Sequence, residues 1–412
     1  MMKNNTASIY FLFVFFVSLV TLSTCPPPDA PKTAFDNEYD MLYAYITAGY
    51  CYETILSFIR VYHACHWSIA KLKRKLKSYG LGHRLYRDSE AEVDAAILGE
   101  LQGPRAHVGY RTMWRILRQN SGLSVSRNTV MERLRVLDPE GSRQRQSGKL
   151  HRRAYFCPGP NYTWHSDGYD KLKPWGFCIH GAIDGYSRKL LWLKVASTNN
   201  DPRVVAGYYV ESVLRAEGSP RKLITDCGTE NHIMATMNCV LHNSSDGHRY
   251  VTSVRNQRIE SWWSYFRKNF GHWWMCFFQD LYESGTYDPD QPFHKHCMQY
   301  CLMAILQYHL DCALELWNSH NIRPSKAPCP SGIPNEMYYL PQQYNAQDYL
   351  LPVSHASITN LANQTHVSSK PVCGDQLVAN YVDMFRRRRG MNMPATPTEA
   401  IELFKVVCES AL

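Results

Sequence analysis

The sequence lacks the features that define several protein classes. No two cysteines form a CxxC pair, and the fourteen cysteines show no repeated spacing, which fits reduced intracellular thiols better than a disulfide framework. The apolar run Ile9–Leu22 has only 14 residues, fewer than the roughly 20 that a membrane-spanning helix needs. Acidic residues are outnumbered, with 36 Asp and Glu against 45 Lys and Arg and a net charge of +9. This excess favours a polyanionic partner, with nucleic acid ahead of anionic membrane.

The N-terminal apolar run leaves three interpretations open. Ile9–Leu22 follows Lys3 as the core of a signal peptide would, but a membrane tether or an extension from an incorrect gene prediction would look the same. A group of prolines (Pro26, Pro27, Pro28 and Pro31) separates it from the first helical pattern. We therefore predict an apolar leader and Pro-rich linker over residues 1–34, with the folded protein starting near Phe35.

The length of 412 residues predicts two to four folded units, and the first two are predicted to be helical. Within 35–90 we expect two helices, the second capped by Ser68 and ending near Gly80. Its basic face resembles that of a helix that reads DNA, although a solvated face has the same composition. The predicted DNA-binding residues of this helix are Lys71, Lys73, Arg74 and Lys75.

A second helix pair with the same pattern is predicted within 91–140. Gly122 marks the turn and Ser126 the cap of the second helix, which leaves Arg127 and Arg133 outward for DNA. Two such pairs in tandem favour helix-turn-helix modules over solvated surfaces. Residues 141–160 are predicted to be a basic linker, because they lack apolar periodicity and are rich in arginine.

Residues 161–345 change to an α/β pattern, and 346–412 form a mixed C-terminal tail. Three strands in series are followed by helix, strand and helix, which is the order expected of an RNase H-like sheet. The predicted strands are Tyr162–Asp167, Gly176–Asp184, Lys189–Ala196, Lys222–Asp226 and a short one near Tyr250. The predicted helices are Pro202–Arg215, one after Asn231, one from Asn256 past Arg267, and His294–Asn318.

Three acids are placed where a metal site could form. Asp167 and Asp226 end predicted strands, and Glu260 begins a predicted helix, 34 positions after Asp226. Phosphodiester transfer can use two divalent ions about 4 Å apart, one activating the attacking oxygen and one stabilising the leaving oxygen. Hard ions such as Mg²⁺ prefer oxygen ligands, so carboxylates from separate elements would have to converge.

With these motifs the chain resembles the DDE integrase core family of integrases and transposases. The order, spacing and structural context of the three acids carry the resemblance, together with AIDGYSRKLLW (Ala182–Trp192) and the turn after Asp226 with Gly228 and Asn231. The resemblance covers roughly residues 35–341. It implies a fold class of α/β with an RNase H-like catalytic core, preceded by all-α helix-turn-helix modules.

The resemblance also implies a function: metal-dependent DNA cleavage and strand transfer. Asp167, Asp226 and Glu260 would be both catalytic and metal-binding residues for two Mg²⁺ or Mn²⁺ ions, while Arg258 and Arg267 on the last helix would contact DNA. The partner would be DNA rather than a small molecule, and a homo-oligomer is expected because two DNA ends must be joined together. The implied location is the nucleus, with which the apolar leader conflicts.

Several alternatives remain at this stage. Asp170, Asp184 and above all Glu230 are rival acids, and Asp184 usually has a structural part in the family. Zinc binding and base stacking are weaker hypotheses than core packing for two further groups of residues. These are His294, His296, Cys297 and Cys301 for zinc, and Trp262, Trp263, Trp273 and Trp274 for stacking. A domesticated DNA-binding protein that does not cut, and a secreted or tethered protein, are the alternatives to an active recombinase.

Overall fold

The structure is a computed structural model that describes residues 35–81, 88–144, 155–324, 330–363 and 373–411. The run Ile9–Leu22 and half of the predicted basic linker, residues 145–154, lie outside these residues. Within the described ranges, every helix is too short or too polar to cross a bilayer. The chain divides into two compact units. The first comprises the described residues up to Ala96 together with Met113–Arg133, and the second comprises Ile97–Thr112 and the described residues from Leu134 onward.

The described residues of the N-terminal region form six helices before Asp138. They are α1 (Glu38–Thr47), α2 (Tyr52–Tyr62), α3 (Ile69–Ser78), α4 (Glu90–Leu101), α5 (Tyr110–Gln119) and α6 (Arg127–Leu137). Residues 35–80 thus form three helices, and the prediction of two was wrong. The helical pattern is interrupted after α1 by Gly49, whose φ of +82° is a left-handed conformation that glycine adopts without strain.

The predicted helix caps are confirmed. The Ser68 side chain accepts a hydrogen bond from the Lys71 amide at 3.2 Å, and Gly80 follows α3 with a φ of +69°. Ser126 accepts one from the Thr129 amide at 3.1 Å and begins α6. On α3 and α6 the apolar residues Leu72, Leu76, Val130 and Leu134 are buried, whereas Ile69 at the start of α3 is 41% exposed.

The second unit contains a five-stranded mixed sheet. Its strands are β1 (Thr163–Tyr169), β2 (Cys178–Asp184), β3 (Leu190–Ala196), β5 (Lys222–Thr225) and β6 (His248–Tyr250), and β4 (Gly218–Ser219) pairs instead with β7 (Leu351–Pro352). The order in the sheet is β3-β2-β1-β5-β6. Strands β1, β2 and β3 are antiparallel, whereas β5 and β6 run parallel to β1. The predicted α/β class with an RNase H-like core is confirmed.

Helices surround this sheet and continue to the C-terminus. They are α7 (Pro139–Gln144), α8 (Pro202–Ala216), α9 (His232–His242), α10 (Gln257–Phe266), α11 (His272–Glu283), α12 (Pro292–Asn318), α13 (Pro334–Tyr339), α14 (His355–Ala362), α15 (Gln376–Arg388) and α16 (Pro397–Ala411). A single π-helical turn, Arg267–Gly271, joins α10 to α11. One of these helices differs from the sequence prediction, because α7 occupies the start of the predicted linker.

Helix α12 covers the edge strand β3 with side-chain amides. Asn318 accepts from the Leu190 amide at 2.7 Å and donates to the Leu190 carbonyl at 3.0 Å. Gln307 bonds the Val195 amide and the Leu193 carbonyl in the same way, each at 3.0 Å. Because these amides occupy the free backbone groups of an edge, β3 is not exposed for pairing with another chain. The sheet is thereby held by the same helix that supplies much of its core.

Candidate metal centre

Three elements bring the predicted acids to one edge of the sheet. Asp167 is the fifth residue of β1, Asp226 directly follows β5, and Glu260 lies in the first turn of α10. Strands β1 and β5 run in the same direction, with His165 opposite Ile224. Continuing this register by two residues sets Asp226 level with Asp167. The ends of two parallel neighbouring strands therefore present two carboxylates side by side.

The electrostatics show that the three carboxylates interact. Burial and the charges of Glu260 and Asp226 raise the pKa of Asp167 to about 8. The pKa of Glu260 is also raised, by burial first and by Asp226 second. Like charges raise one another's pKa only when they are close together. The structure thus concentrates negative charge at this edge of the sheet, which is the environment that a cation neutralises.

Trp263 orients the carboxylate of Asp167 through a hydrogen bond. Its indole Nε1–H donates to Asp167 Oδ2 at 3.0 Å, and the indole is 5% exposed. Room for the ring comes from Gly181, which is paired with Asp167 in the β1–β2 ladder: a Cβ at this position would lie 3.0 Å from the Trp263 ring. From the sequence alone, Trp263 is expected only as a stacking or core residue. Its contact with Asp167 joins residues 96 positions apart and leaves no periodic signal.

Asn256 fixes the start of α10, and hence Glu260, against β1. It is fully buried, donates to the Ser166 carbonyl at 2.9 Å, and contacts His165 Nδ1 through its Oδ1 at 2.8 Å. The other ring nitrogen of His165 contacts the Tyr155 hydroxyl at 2.7 Å. Burial lowers the pKa of His165 to about 4, so the ring is neutral and acts as a rigid spacer. Sequence reasoning did not identify this network.

Arg258, a predicted DNA contact, lies in the same network. Its Nε donates to the Gly185 carbonyl at 2.8 Å, and its guanidinium lies 4.0 Å from the centre of the Tyr155 ring. Such a stacked and hydrogen-bonded arginine ties α10 to the turn between β2 and β3. Arg267 occupies the first position of the π-helical turn and is exposed. π-helical turns within α-helices are frequent at functional sites.

The loop after Asp226 is organised by hydrogen bonds to this acid. The Gly228 amide donates to Asp226 Oδ1 at 3.2 Å, and Asn231 Nδ2 donates to the same oxygen at 2.8 Å. Asn231 Nδ2 also lies 3.1 Å from Glu230 Oε1. The rival acid Glu230 therefore shares a donor with Asp226, which places it beside the cluster.

The other two rival acids have different surroundings. Asp184 is fully buried and accepts four hydrogen bonds, from the Asn161 and Tyr186 amides and from the amide and hydroxyl of Ser187. This set of donors is typical of a structural acid that shapes a turn. Asp170 accepts from Asn199 at 3.1 Å and pairs with Lys173 at 3.6 Å. Its charge is thus compensated by a cation.

The predicted DNA-binding cations of α3 and α6 differ in their partners. Lys75 pairs with Glu38 at 2.9 Å, and the Arg133 guanidinium pairs with the carboxylate of Asp94. Three others lie over aromatic rings: Lys71 over Trp67, Lys73 over Tyr52 and Arg127 over Trp114. Lys73, Arg74 and Arg127 are exposed. DNA contact by these residues stays a prediction.

Core packing is confirmed for most residues that had been weighed for zinc or base stacking. Trp262, Trp263 and Trp274 are each at most 5% exposed. Cys297 and Cys301 are buried on α12. The four-arginine run ending α15 is partly structural as well, since Arg386 and Arg387 both pair with Asp383.

The chemistry of the donor set fits a hard divalent cation. Carboxylate oxygens from Asp167, Asp226 and Glu260 are the ligands that Mg²⁺ and Mn²⁺ prefer, and their mutual repulsion gives a site that gains from positive charge. Among the described residues, no group of three or more His, Cys, Asp or Glu side chains is already closed around a metal-binding point.

One comparison with known proteins identifies the domain that carries these acids. Residues 154–345 match the family model described as Integrase core domain. No curated protein matches the chain. The match includes β1, β5 and α10, and it begins after the N-terminal helices α1 to α7.

Proposed function

Because residues 154–345 belong to the integrase core family, we propose that the protein cuts and joins DNA strands with Asp167, Asp226 and Glu260 as its metal ligands. The family acts on DNA and generally depends on divalent metal ions. The observation that carries the proposal is the convergence of these three acids from β1, the end of β5 and the start of α10, where burial, then Glu260 and Asp226, raise the pKa of Asp167. A cluster of carboxylates around a buried acid is costly unless it serves a positive charge that arrives with a ligand.

The proposed reaction is a transfer of a phosphodiester bond between two DNA strands. The oxygen of water or of a DNA 3′-hydroxyl attacks phosphorus, a new P–O bond forms and the bond to the leaving oxygen breaks. The proton of the attacking group passes to solvent, and the leaving oxygen takes up a proton from solvent to become a hydroxyl. Two Mg²⁺ or Mn²⁺ ions would supply Lewis acidity for the attacking and leaving oxygens. In this proposal Asp167 would be a ligand of both ions, Asp226 of one and Glu260 of the other.

Other residues of the chain would position these ligands. Trp263 and Asn256 fix Asp167 and the start of α10, so that the carboxylates are set before DNA arrives. Helices α3 and α6 are proposed as helix-turn-helix recognition elements, with Arg74 and Arg127 toward the phosphate backbone. Arg267, seven residues after Glu260 on the same helix, is proposed to contact the DNA end. Since two ends must be joined, the active form is proposed to be a homo-oligomer acting in the nucleus.

The proposal is tested by strand cleavage and joining with the full chain in Mg²⁺ or Mn²⁺. Asp226→Asn and Glu260→Gln should each reduce joining by at least about a thousandfold, roughly 4 kcal/mol of transition-state stabilisation. DNA binding should remain within about threefold. Glu230→Gln is the matched control, because Glu230 shares the loop but is not assigned as a ligand. Metal-independent joining, or equal activity of the three variants, would contradict the assignment.

A DNA-binding protein that does not cut is the other outcome of this test. It would bind DNA with the wild-type chain, show no joining across a panel of DNA ends, and be unaffected by Asp226→Asn. Retained binding without joining would overturn the proposed catalysis and leave the fold assignment intact.

A further inference from the structure

Asn231 is a buried amide that faces two carboxylates. It is 0% exposed, ends the short 3-10 turn Thr229–Asn231, and precedes α9. Its Nδ2 donates to Asp226 Oδ1 at 2.8 Å and to Glu230 Oε1 at 3.1 Å. Both hydrogens of the amide are thereby directed to acids. A flipped amide would point its oxygen at these acids, so the function of Asp226 depends on the orientation of Asn231.

His180 is a buried residue of β2, and a tryptophan sets its tautomer. Trp192 Nε1–H donates to His180 Nδ1 at 3.0 Å, and the two rings stack with an interplanar angle of 8°. Indole can only donate, so Nδ1 is an acceptor and the proton of the neutral ring is on Nε2. The ring is neutral because burial lowers the pKa of His180 to about 4, while the Asn231 side chain acts in the opposite direction.

The side chains of His180 and Asn231 each have one buried polar atom without a regular hydrogen bond to a described residue. His180 Nε2 and Asn231 Oδ1 are inaccessible to solvent, and neither makes a direct hydrogen bond to another described residue. One is a donor and the other an acceptor. A hydrogen-bonding interaction with the Asn231 side chain raises the pKa of His180, so the two side chains approach each other, but their contact falls outside the regular geometry of a hydrogen bond. A buried donor and a buried acceptor left open side by side need only a small adjustment of the loop to pair.

We propose that Trp192, His180 and Asn231 form a relay of positioning residues for Asp226, an inference that rests on the proposed function. His180 Nε2–H holds Asn231 Oδ1, which orients the amide so that Nδ2 holds Asp226 Oδ1 and directs Oδ2 to a divalent cation. Glu230 is kept beside the cluster by the same amide. The relay acts on the metal ligand from outside the coordination shell, as the partners of metal-binding side chains commonly do.

The relay is tested by Mn²⁺ binding to the full chain without DNA. Binding is measured from the electron paramagnetic resonance signal of the free Mn²⁺ that remains. Asn231→Ala and His180→Gln should weaken Mn²⁺ binding about tenfold, in the range found for such partners. Trp192→Phe keeps an aromatic ring and removes the N–H that donates to His180, so it should weaken Mn²⁺ binding about threefold. This variant still tests the relay if a substitution at Asn231 prevents folding. Circular dichroism of each variant reports folding.

The matched control is Asn199→Ala. Asn199 is also a buried amide, 7% exposed, that donates to an aspartate, but its partner Asp170 is not assigned as a ligand. Its removal should leave Mn²⁺ binding unchanged. Asp226→Asn separates the two hypotheses: if it leaves Mn²⁺ binding unaltered, the proposed metal site fails. If Asp226→Asn abolishes binding while the Asn231, His180 and Trp192 variants bind as the wild type does, the relay is overturned and the proposed function stands.

Discussion

Asp167 and Asp184 lie in the same β1–β2 ladder and are both buried, but their surroundings are opposite. Asp167 is opposite Gly181, and Asp184 is opposite Trp164, three pairs along. Asp184 receives four hydrogen bonds, whereas Asp167 receives one from a side chain, Trp263, and faces two other acids. The protein's own donors compensate the charge of Asp184, whereas the charge of Asp167 requires a cation from outside the protein.

Their pKa values reflect this difference. Burial raises the pKa of Asp184 to about 6, against the opposing effect of its hydrogen bonds. The pKa of Asp167 is raised to about 8, because Glu260 and Asp226 add their repulsion to burial. A buried acid therefore indicates a ligand site when its neighbours are acids, and a structural role when its neighbours are donors.

The largest expected effect on stability is at Asp184. Asp184→Ala would leave three backbone amides and the Ser187 hydroxyl without their acceptor, so we expect a loss of about 3 kcal/mol or more. Asp184→Asn, which keeps one acceptor oxygen, should cost less. Urea denaturation of the full chain measures both. The structural role of Asp184 would be refuted if the alanine variant were as stable as the wild type.

A smaller effect is expected at Trp263. Trp263→Phe preserves an aromatic ring next to Gly181 but removes the indole N–H that donates to Asp167, so strand joining should fall about tenfold. The loss of stability should be about 1 kcal/mol. Phe substitution at Trp274, which is buried on α11, is the control and should leave joining unaltered. Equal effects of the two substitutions on joining would show that Trp263 contributes packing alone.

Much of the fold was predictable because it rests on local patterns. The strands β1, β2, β3 and β5 were predicted within two residues at each end, since runs of β-branched and aromatic residues bounded by turns are read directly from a sequence. Caps at Ser68 and Ser126 were found for the same reason. The errors were local too, as at Gly49, where one left-handed glycine divided a helical pattern.

The site was predictable only in part. The order and spacing of Asp167, Asp226 and Glu260 identified the acids, but the residues that position them could not be found. Asn256 and Trp263 act through contacts that span about 90 positions, and such contacts follow from the fold rather than from any spacing. The partners of predicted cations, such as Asp94 beside Arg133, were missed for the same reason.

Asp167 gives a pH dependence whose sign follows from its raised pKa. In the unfolded chain this acid has an ordinary pKa of about 3.9, so the folded state holds its proton more tightly. The proton on Asp167 contributes its full stabilisation of the folded state below about pH 4. This contribution decreases as the pH rises above 4 and is lost once the pH passes through about 8. Asp167→Asn, which cannot ionise, should therefore gain stability over the metal-free wild type across this window.

The most direct test of the proposed metal site is thermal unfolding of the full chain at pH 8.5, with wild type and Asp167→Asn each measured with and without Mg²⁺. Without the ion, the variant should melt about 3 °C or more above the wild type, because it lacks the repelled charge. Added Mg²⁺ should raise the melting temperature of the wild type and leave that of the variant unchanged. An equal response of both proteins to Mg²⁺ would contradict the assignment of Asp167 as a metal ligand.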